Sequence, residues 1–286
     1  MAQGLSLHIG LNRVDPGHYQ GWNGELKACE FDAKDMTKIA AANKFSSNQL
    51  LTANATSNNM IKAMRDASRK LKTGDIFFLT YSGHGGQVPD TNGDEEDGKD
   101  ETWVLYDRQL VDDELYSLFG QFEPGVRIFM LSDSCHSGTV ARAVYENLST
   151  ALSTGDLRTF REKSELTASV GPRFRAVPED ILQKTYNKNK KMYDDIQHYS
   201  PDGDKLTVGA SVILISGCKD NQLSSDGDKN GLFTETFLKV WNKGKFNSYK
   251  SLYSLISKQM PPWQSPNYYK VGAPSLTFER QKPLAV

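Results

Sequence analysis

Short apolar runs recur along the chain: LSLHIGL (5–11), DIFFLTYS (75–82), WVLYD (103–107), VRIFMLSD (126–133) and SVILISGC (211–218). Runs of this length, rich in β-branched and aromatic residues, predict strands, and several have too few polar positions for a solvated face. Between them GELKACEFDAKDMTKIAAAN (24–43), NMIKAMRDASRKLK (59–72) and DDELYSLFGQF (112–122) place apolar residues at three- and four-residue spacing, the helical pattern. Two more helices are expected in LFTETFLKVWNK and YKSLYSLISKQM, before a Pro-rich end. Strand and helix in alternation predict an α/β fold with a mostly parallel sheet covered by helices. The stretch from about 141 to 207 differs, being rich in Lys, Arg, Ser, Thr and Asp with short apolar clusters such as EDILQKTY. It is expected to be an insertion or mobile linker within one domain spanning 1–286.

Composition narrows the partners. With 286 residues, 38% of them hydrophobic, the chain can bury a full core. Its 34 basic and 35 acidic residues leave a net charge of −1, so no broad field favours nucleic acid or an anionic membrane. The start, MAQGLSLHIGLNR, lacks a signal-peptide pattern, and no apolar run approaches the ~20 residues of a membrane span, which makes the cytoplasm the expected location. Three cysteines without a C-x-x-C pair argue against a disulfide framework or a zinc ribbon and leave at least one thiol free.

One of those thiols sits where an apolar run ends. In MLSDSCHSG, Cys135 is followed by His136, Ser137 and Gly138, residues that favour a turn and are expected to leave the thiol near the surface. FFLTYSGHGGQ ends in a similar turn carrying His84. Ligands of open parallel sheets bind outside the carboxyl ends of the strands, so His84 and Cys135 are expected to face each other. An imidazole that takes the thiol proton makes the sulfur a nucleophile, and the backbone N–H groups of Gly85 and Cys135 are placed to hold an oxyanion. Each residue alone has a bland reading, as an inert turn thiol or a solvated loop histidine. His136 is a poor rival base, because adjacent residues on an extended turn point apart. The histidine lies 51 positions upstream of the cysteine (135 minus 84), and that joint spacing favours catalysis.

In SGHGG and DSCHSG the chain resembles the caspase clan and, within it, the metacaspases and orthocaspases. The resemblance runs from Leu5 to about Thr139 and resumes from Ser211 to about Phe237. Animal caspases usually carry Q-A-C-x-G at the nucleophile, whereas DSCHSG is the metacaspase form. The resemblance implies a caspase-like three-layer sandwich, a cysteine endopeptidase and a His84–Cys135 catalytic dyad. It also places Cys29, Asp32, Ser82 and Asp133 around the first substrate pocket. Carboxylates there would pair with a basic side chain and exclude an acidic one, so cleavage after Arg or Lys is expected. Taken alone, Asp32 reads as a solvated helix carboxylate, and Cys29 and Ser82 as packing or capping residues. Asp220 in GCKDNQ either lines the opposite wall or forms a turn.

The acidic window DTNGDEEDGKDE (90–101) starts like an EF-hand loop, but Glu95 stands where the sharp turn needs glycine. By resemblance, Asp100, Asp112 and Asp113 are candidate Ca²⁺ ligands; a further ligand expected shortly after the nucleophile has no counterpart, Arg142 occupying that region. The plain alternative is a solvated loop, with Asp112 capping a helix. The expectation is therefore a monomeric endopeptidase acting on peptide or protein substrates with basic residues. It would have no organic cofactor, calcium as an open activator, and self-cleavage in the Arg- and Lys-rich 141–207 stretch. The rivals are a calcium-responsive binding module on the same fold and a cysteine hydrolase of small amides.

Overall fold

The computed structural model describes residues 2–91, 93, 98–135, 173–200, 207–218, 222 and 224–286. Six strands form the central sheet: β1 (Gly4–Gly10), β2 (Ser46–Leu51), β3 (Ile76–Ser82), β7 (Arg127–Asp133), β9 (Ser211–Ser216) and β11 (Asn267–Gly272). Their order is β11-β9-β7-β3-β1-β2. Every pairing is parallel except that of β11 with β9. The apolar runs divide their side chains between two faces, as the pleat requires. Phe77, Leu79, Ile128, Met130 and Val212 face one layer; Phe78, Phe129, Leu131, Ile213 and Ile215 face the other.

Helices complete the sandwich. α2 (Ser57–Lys70) and α3 (Asp112–Phe119) cover the first face through Met60, Met64, Leu115 and Leu118. α1 (Cys29–Ala42) covers the second through Met36 and Ile39, as do two later helices, α6 (Leu232–Lys243) and α7 (Tyr249–Ser257), through Phe233, Phe237 and Leu252. Each such side chain taken from water contributes about 1.5–3 kcal/mol. Thr56 caps α2 by accepting from Asn59 N at 3.3 Å, a contact worth about 1 kcal/mol. The first helix starts at Cys29 rather than at 24; Gly10 lets β1 approach its start, since a Cβ there would meet Cys29 O at 2.2 Å.

A second, three-stranded antiparallel sheet carries β4 (Gly85–Pro89), β5 (Lys99–Val104) and β6 (Gln109–Val111). The run WVLYD therefore contributes only its first two residues to a strand, and that strand lies outside the central sheet. The stretch expected to be linker is packed structure over 173–200. It holds β8 (Arg173–Phe174), α4 (Glu179–Lys188) and α5 (Lys190–Tyr199), and β8 pairs antiparallel with β10 (Ser225–Asp226). Lys, Asp and Glu on the outer faces of α4 and α5 hide an apolar side on which Tyr186 and Tyr193 pack with Val88 and Val111 of the hairpin sheet. A short α8 (Leu276–Arg280) follows β11. No helix among the described residues is long and apolar enough to cross a membrane.

Candidate active site

β3 and β7 are paired so that Ser82 lies opposite Asp133, and His84 and Cys135 each stand two residues beyond that pair. The turn that carries His84 crosses the other directly: a Cβ on Gly85 would lie 1.9 Å from Cys135 O, so only glycine fits. Tyr81 Oη donates to His84 O at 2.6 Å, and Val104 N donates to the same oxygen at 3.0 Å, which fixes the turn. His84 Nε2 donates to Gly24 O at 2.9 Å, with the Trp22 ring 4.8 Å away. A carbonyl only accepts, so Nε2 carries the proton and Nδ1 keeps its lone pair. That Nδ1 is buried and has no hydrogen-bond partner among the described residues. Burial holds the imidazole neutral, its pKa pushed down to about 4 against a smaller pull from the Gly24 backbone.

Cys135 is not at the surface as the turn residues suggested. It is fully buried, packed with Phe174 and Cys218 and against Ala176, because the chain from Arg173 to Val177 runs across the cleft. Its Sγ accepts from the backbone N–H of Ser224. The N–H groups of Gly85 and Cys135 meet at one oxygen, the carbonyl of Arg175, at 2.9 and 3.3 Å.

The side chain of that same residue fills the acidic pocket. Arg175 is fully buried. Its Nη2 donates to Asp32 Oδ2 at 2.8 Å and to Asp226 Oδ1 at 3.1 Å; Nη1 reaches Asp133 Oδ2 at 2.9 Å and Ser82 Oγ at 2.9 Å. Each carboxylate is fixed in turn. Ser82 Oγ donates to Asp32 at 2.7 Å; Ser224 Oγ and Thr234 Oγ1 donate to Asp133 at 2.5 and 2.7 Å; Lys27 N donates to Asp226 at 2.8 Å. Asp32 is thus no solvated helix carboxylate. Desolvation, set against the Arg175 charge, raises its pKa to about 7. Cys29 is buried beside the pocket, and burial pushes its thiol well above the ordinary range, which keeps it protonated and inert.

Asp226 was not among the expected pocket residues; in SSDGDKNG it reads as part of a turn before α6. Gly24 was equally hidden, since it acts through a carbonyl that every residue has. Asp220 and His136 lie outside the described residues. The candidate calcium ligands lie outside the Arg175 pocket. Asp100 and Asp113 are buried, and Asp112 is the first residue of α3 rather than its cap: Val111 holds the cap position, its N–H donating to Glu114 Oε2 at 3.2 Å, while Asp112 Oδ1 accepts from the adjacent Asp113 N at 3.1 Å. Among the described residues no group of three or more carboxylate, histidine or cysteine side chains is gathered to hold a metal.

A buried neutral imidazole and a thiol at neighbouring strand ends, two N–H donors on one carbonyl oxygen, and carboxylates around a guanidinium have the parts that acyl transfer next to a cationic residue needs. The sandwich in which they sit is that of the caspases. Residues 14–282 match the caspase domain family, and the chain belongs to it. Metacaspase-1 of Kluyveromyces lactis is 31% identical over 281 residues, covering 86% of this chain and 60% of its own. Metacaspase-1A of Aspergillus oryzae is 30% identical over 274 residues, covering 89% of this chain and 64% of its own. The chain thus spans about three fifths of the length of these curated relatives. Among solved structures, protein GSU0716 from Geobacter sulfurreducens is 47% identical with a TM-score of 0.85, covering 99% of each chain. Caspase-1 from Spodoptera frugiperda shares the fold at a TM-score of 0.50 and 8% identity, over 95% of this chain and 86% of its own.

Proposed function

We propose that the chain is a cysteine endopeptidase that cleaves after arginine or lysine, with Cys135 as nucleophile and His84 as general base and acid. One observation carries this reading: a single arginine of the chain places its guanidinium among Asp32, Asp133 and Asp226 while its carbonyl oxygen accepts from Gly85 N and Cys135 N. A residue before a scissile bond must satisfy both ends of the site at once. In the reaction His84 takes the thiol proton, the sulfur attacks the carbonyl carbon, and the two N–H groups hold the oxyanion. His84 then protonates the leaving amine, and water hydrolyses the thioester.

The buried carboxylates set the selectivity. An Asp side chain in this pocket would add a fourth negative charge out of water, so acidic residues are excluded. Matched peptides ending in Arg, Lys or Asp before a reporter group test the reading. The expected order is Arg above Lys, with Asp uncut, and loss of about 10³-fold or more in Cys135→Ala. Cleavage by Cys135→Ala, or equal cleavage after Asp, would sink it. The small-amide reading predicts turnover of short esters with no preference among these peptides. Calcium is a separate proposal that rests on Asp100, Asp112 and Asp113: Ca²⁺ would raise activity and Asp113→Asn would remove the response, whereas activity unchanged between added Ca²⁺ and chelator would end it.

A further inference from the structure

We propose that Gln264, in the loop between α7 and β11, is a positioning residue for the reaction: it holds the short strand on which a substrate backbone is aligned and, through that strand, a carboxylate of the specificity pocket. This deepens the endopeptidase reading and rests on it. In PPWQSPN (261–267) two neighbours sort against their polarity, Trp263 being 51% exposed while Gln264 is fully buried. A buried amide is stable only where its donors and acceptor are matched. All three bonds of this side chain go to the wall of the cleft. Nε2 donates to Ser224 Oγ at 2.9 Å and to Gly217 O at 3.2 Å, and Oε1 accepts from Ser225 N at 3.1 Å. Gln222 closes the clasp from the other side: its Nε2 donates to Pro262 O at 3.1 Å, and its Oε1 accepts from Ser265 N at 2.5 Å.

Ser224 is where three demands meet. Its carbonyl accepts from Arg175 N at 3.0 Å, its N–H donates to Cys135 Sγ, and its Oγ donates to Asp133 Oδ1 at 2.5 Å. One residue therefore touches the backbone of the arginine in the pocket, the nucleophile and a pocket carboxylate. The strand that follows it, β10, is two residues long, and β8 is its ladder partner. So short a strand, lying outside the central sheet, takes its position from side chains. Lys27 N and Ala28 N hold its far end by Asp226, at 2.8 and 3.3 Å, and Gln264 holds the end at Ser224 and Ser225. An extended peptide that adds to a strand draws its affinity from backbone bonds, so the strand's placement fixes the peptide's register.

Gln197 shows what a glutamine that only holds structure looks like in this molecule. It is as deeply buried, accepts from Thr91 N at 2.8 Å and donates to Pro89 O at 3.0 Å, and so ties α5 to a loop with no bond to the cleft. Removing either amide should cost stability; the two differ in what else is lost. Without Gln264, Ser224 Oγ is free to turn from Asp133, and the Ser224 carbonyl loses its fixed place relative to Gly85 N and Cys135 N. A misplacement of about 1 Å at a reacting centre costs about 10²-fold in rate. A weaker fold lowers the number of working molecules and so slows every substrate alike. A displaced strand removes only what the residues ahead of the arginine contribute, because remote contacts are what orient the reacting bond.

Two reporters hydrolysed by the full chain test this: acetyl-Arg and acetyl-Ala-Phe-Arg, each joined to the same fluorescent amine. Phe is chosen because Phe174, ahead of Arg175, packs with Cys135 and Cys218. The quantity read is the ratio of the two kcat/KM values, from which the amount of active enzyme cancels. In wild type the two added residues should raise kcat/KM by about 10²-fold, and in Gln264→Met, which keeps the side chain's bulk, the gain should shrink below about fivefold. Gln197→Met should lower the melting temperature and keep the wild-type ratio. Where Gln264→Met does not fold, Gln264→Glu, which keeps the shape and the acceptor but neither donor, takes its place, with a gain below about tenfold expected. A wild-type ratio in the folded Gln264 variant, an equal fall in Gln197→Met, or no gain from the added residues in wild type would overturn the proposal and leave the protease reading standing. If wild type hydrolyses neither reporter, the protease reading itself fails.

Discussion

Two arginines in this molecule, one partly and one fully buried, solve opposite problems. Arg108 makes a two-pronged pair with one carboxylate, Glu114, at 2.7 and 2.8 Å; the partners are six residues apart, and each is less than one fifth exposed. Arg175 meets three carboxylates, from α1, β7 and β10, and those of Asp32 and Asp226 stand 143 and 51 residues away in sequence. The first is charge-balanced and local, as a pair that only holds structure tends to be. The second is over-supplied with negative charge out of water, an arrangement that destabilises the fold whenever its cation is missing. What the difference teaches is that the carboxylates of Asp32, Asp133 and Asp226 need a cation between them, whereas Glu114 needs only its local partner.

The largest effect that could break this comparison is on stability. In a Cys135→Ala background, Arg175→Met should cost about 3–5 kcal/mol at neutral pH, because three buried carboxylates lose their partner. Arg108→Met should cost about 1–3 kcal/mol, since it strands a single carboxylate that keeps some contact with water. Urea unfolding measures both, and equal losses would remove the distinction. Next in size is catalysis. Asp133→Asn or Asp226→Asn should lower kcat/KM for Arg peptides by about 10²-fold, the cost of one lost buried charge partner. Glu114→Gln should leave it within a factor of about 3. A matching drop in Glu114→Gln would show that the losses come from general disruption.

Much of this was legible from hydrophobic pattern, and the exceptions have physical reasons. β3, β7 and β9 are buried on both faces, so their runs are continuous and easily read. β2 (SSNQLL) and β11 (NYYKVG) are edge strands with mostly exposed or half-buried side chains, and no apolar run marks them. Edges carry polar residues because an apolar edge invites aggregation. α4 and α5 were hidden by their charged outer faces. The His84 and Cys135 turns could be found because a glycine-rich turn ending a buried strand is a local signal. Asp226 could not, because its role depends on a pairing with β8 more than fifty positions away in sequence, and nothing in SSDGDKNG differs from an ordinary turn. The burial of Cys135 was missed for the same reason: the covering residues belong to a stretch whose composition reads as linker.

The smallest effect is a dependence of stability on pH, and it sharpens the comparison because it reports on Asp32 inside the Arg175 pocket. Asp32 binds its proton more tightly folded, at about 7, than at the ordinary carboxylate value of 3.8, since desolvation outweighs the Arg175 charge. Its contribution is therefore fully present below about pH 4 and is lost as pH rises through about 7. His84 and His8 run the other way. Their pKa values fall from 6.5 to about 4 and about 3 on burial, so their contributions are present above pH 6.5 and lost as pH falls through those values. Opposite slopes in one window make the net curve of the parent shallow. In the Cys135→Ala background, Asp32→Asn should remove only the falling part, so that the melting temperature, followed from pH 4.5 to 7.5, climbs more steeply than in the parent by about a few degrees. Parallel curves would mean that Asp32 is ionised throughout in the folded state, and that Arg175 alone balances the pocket as Arg108 balances Glu114.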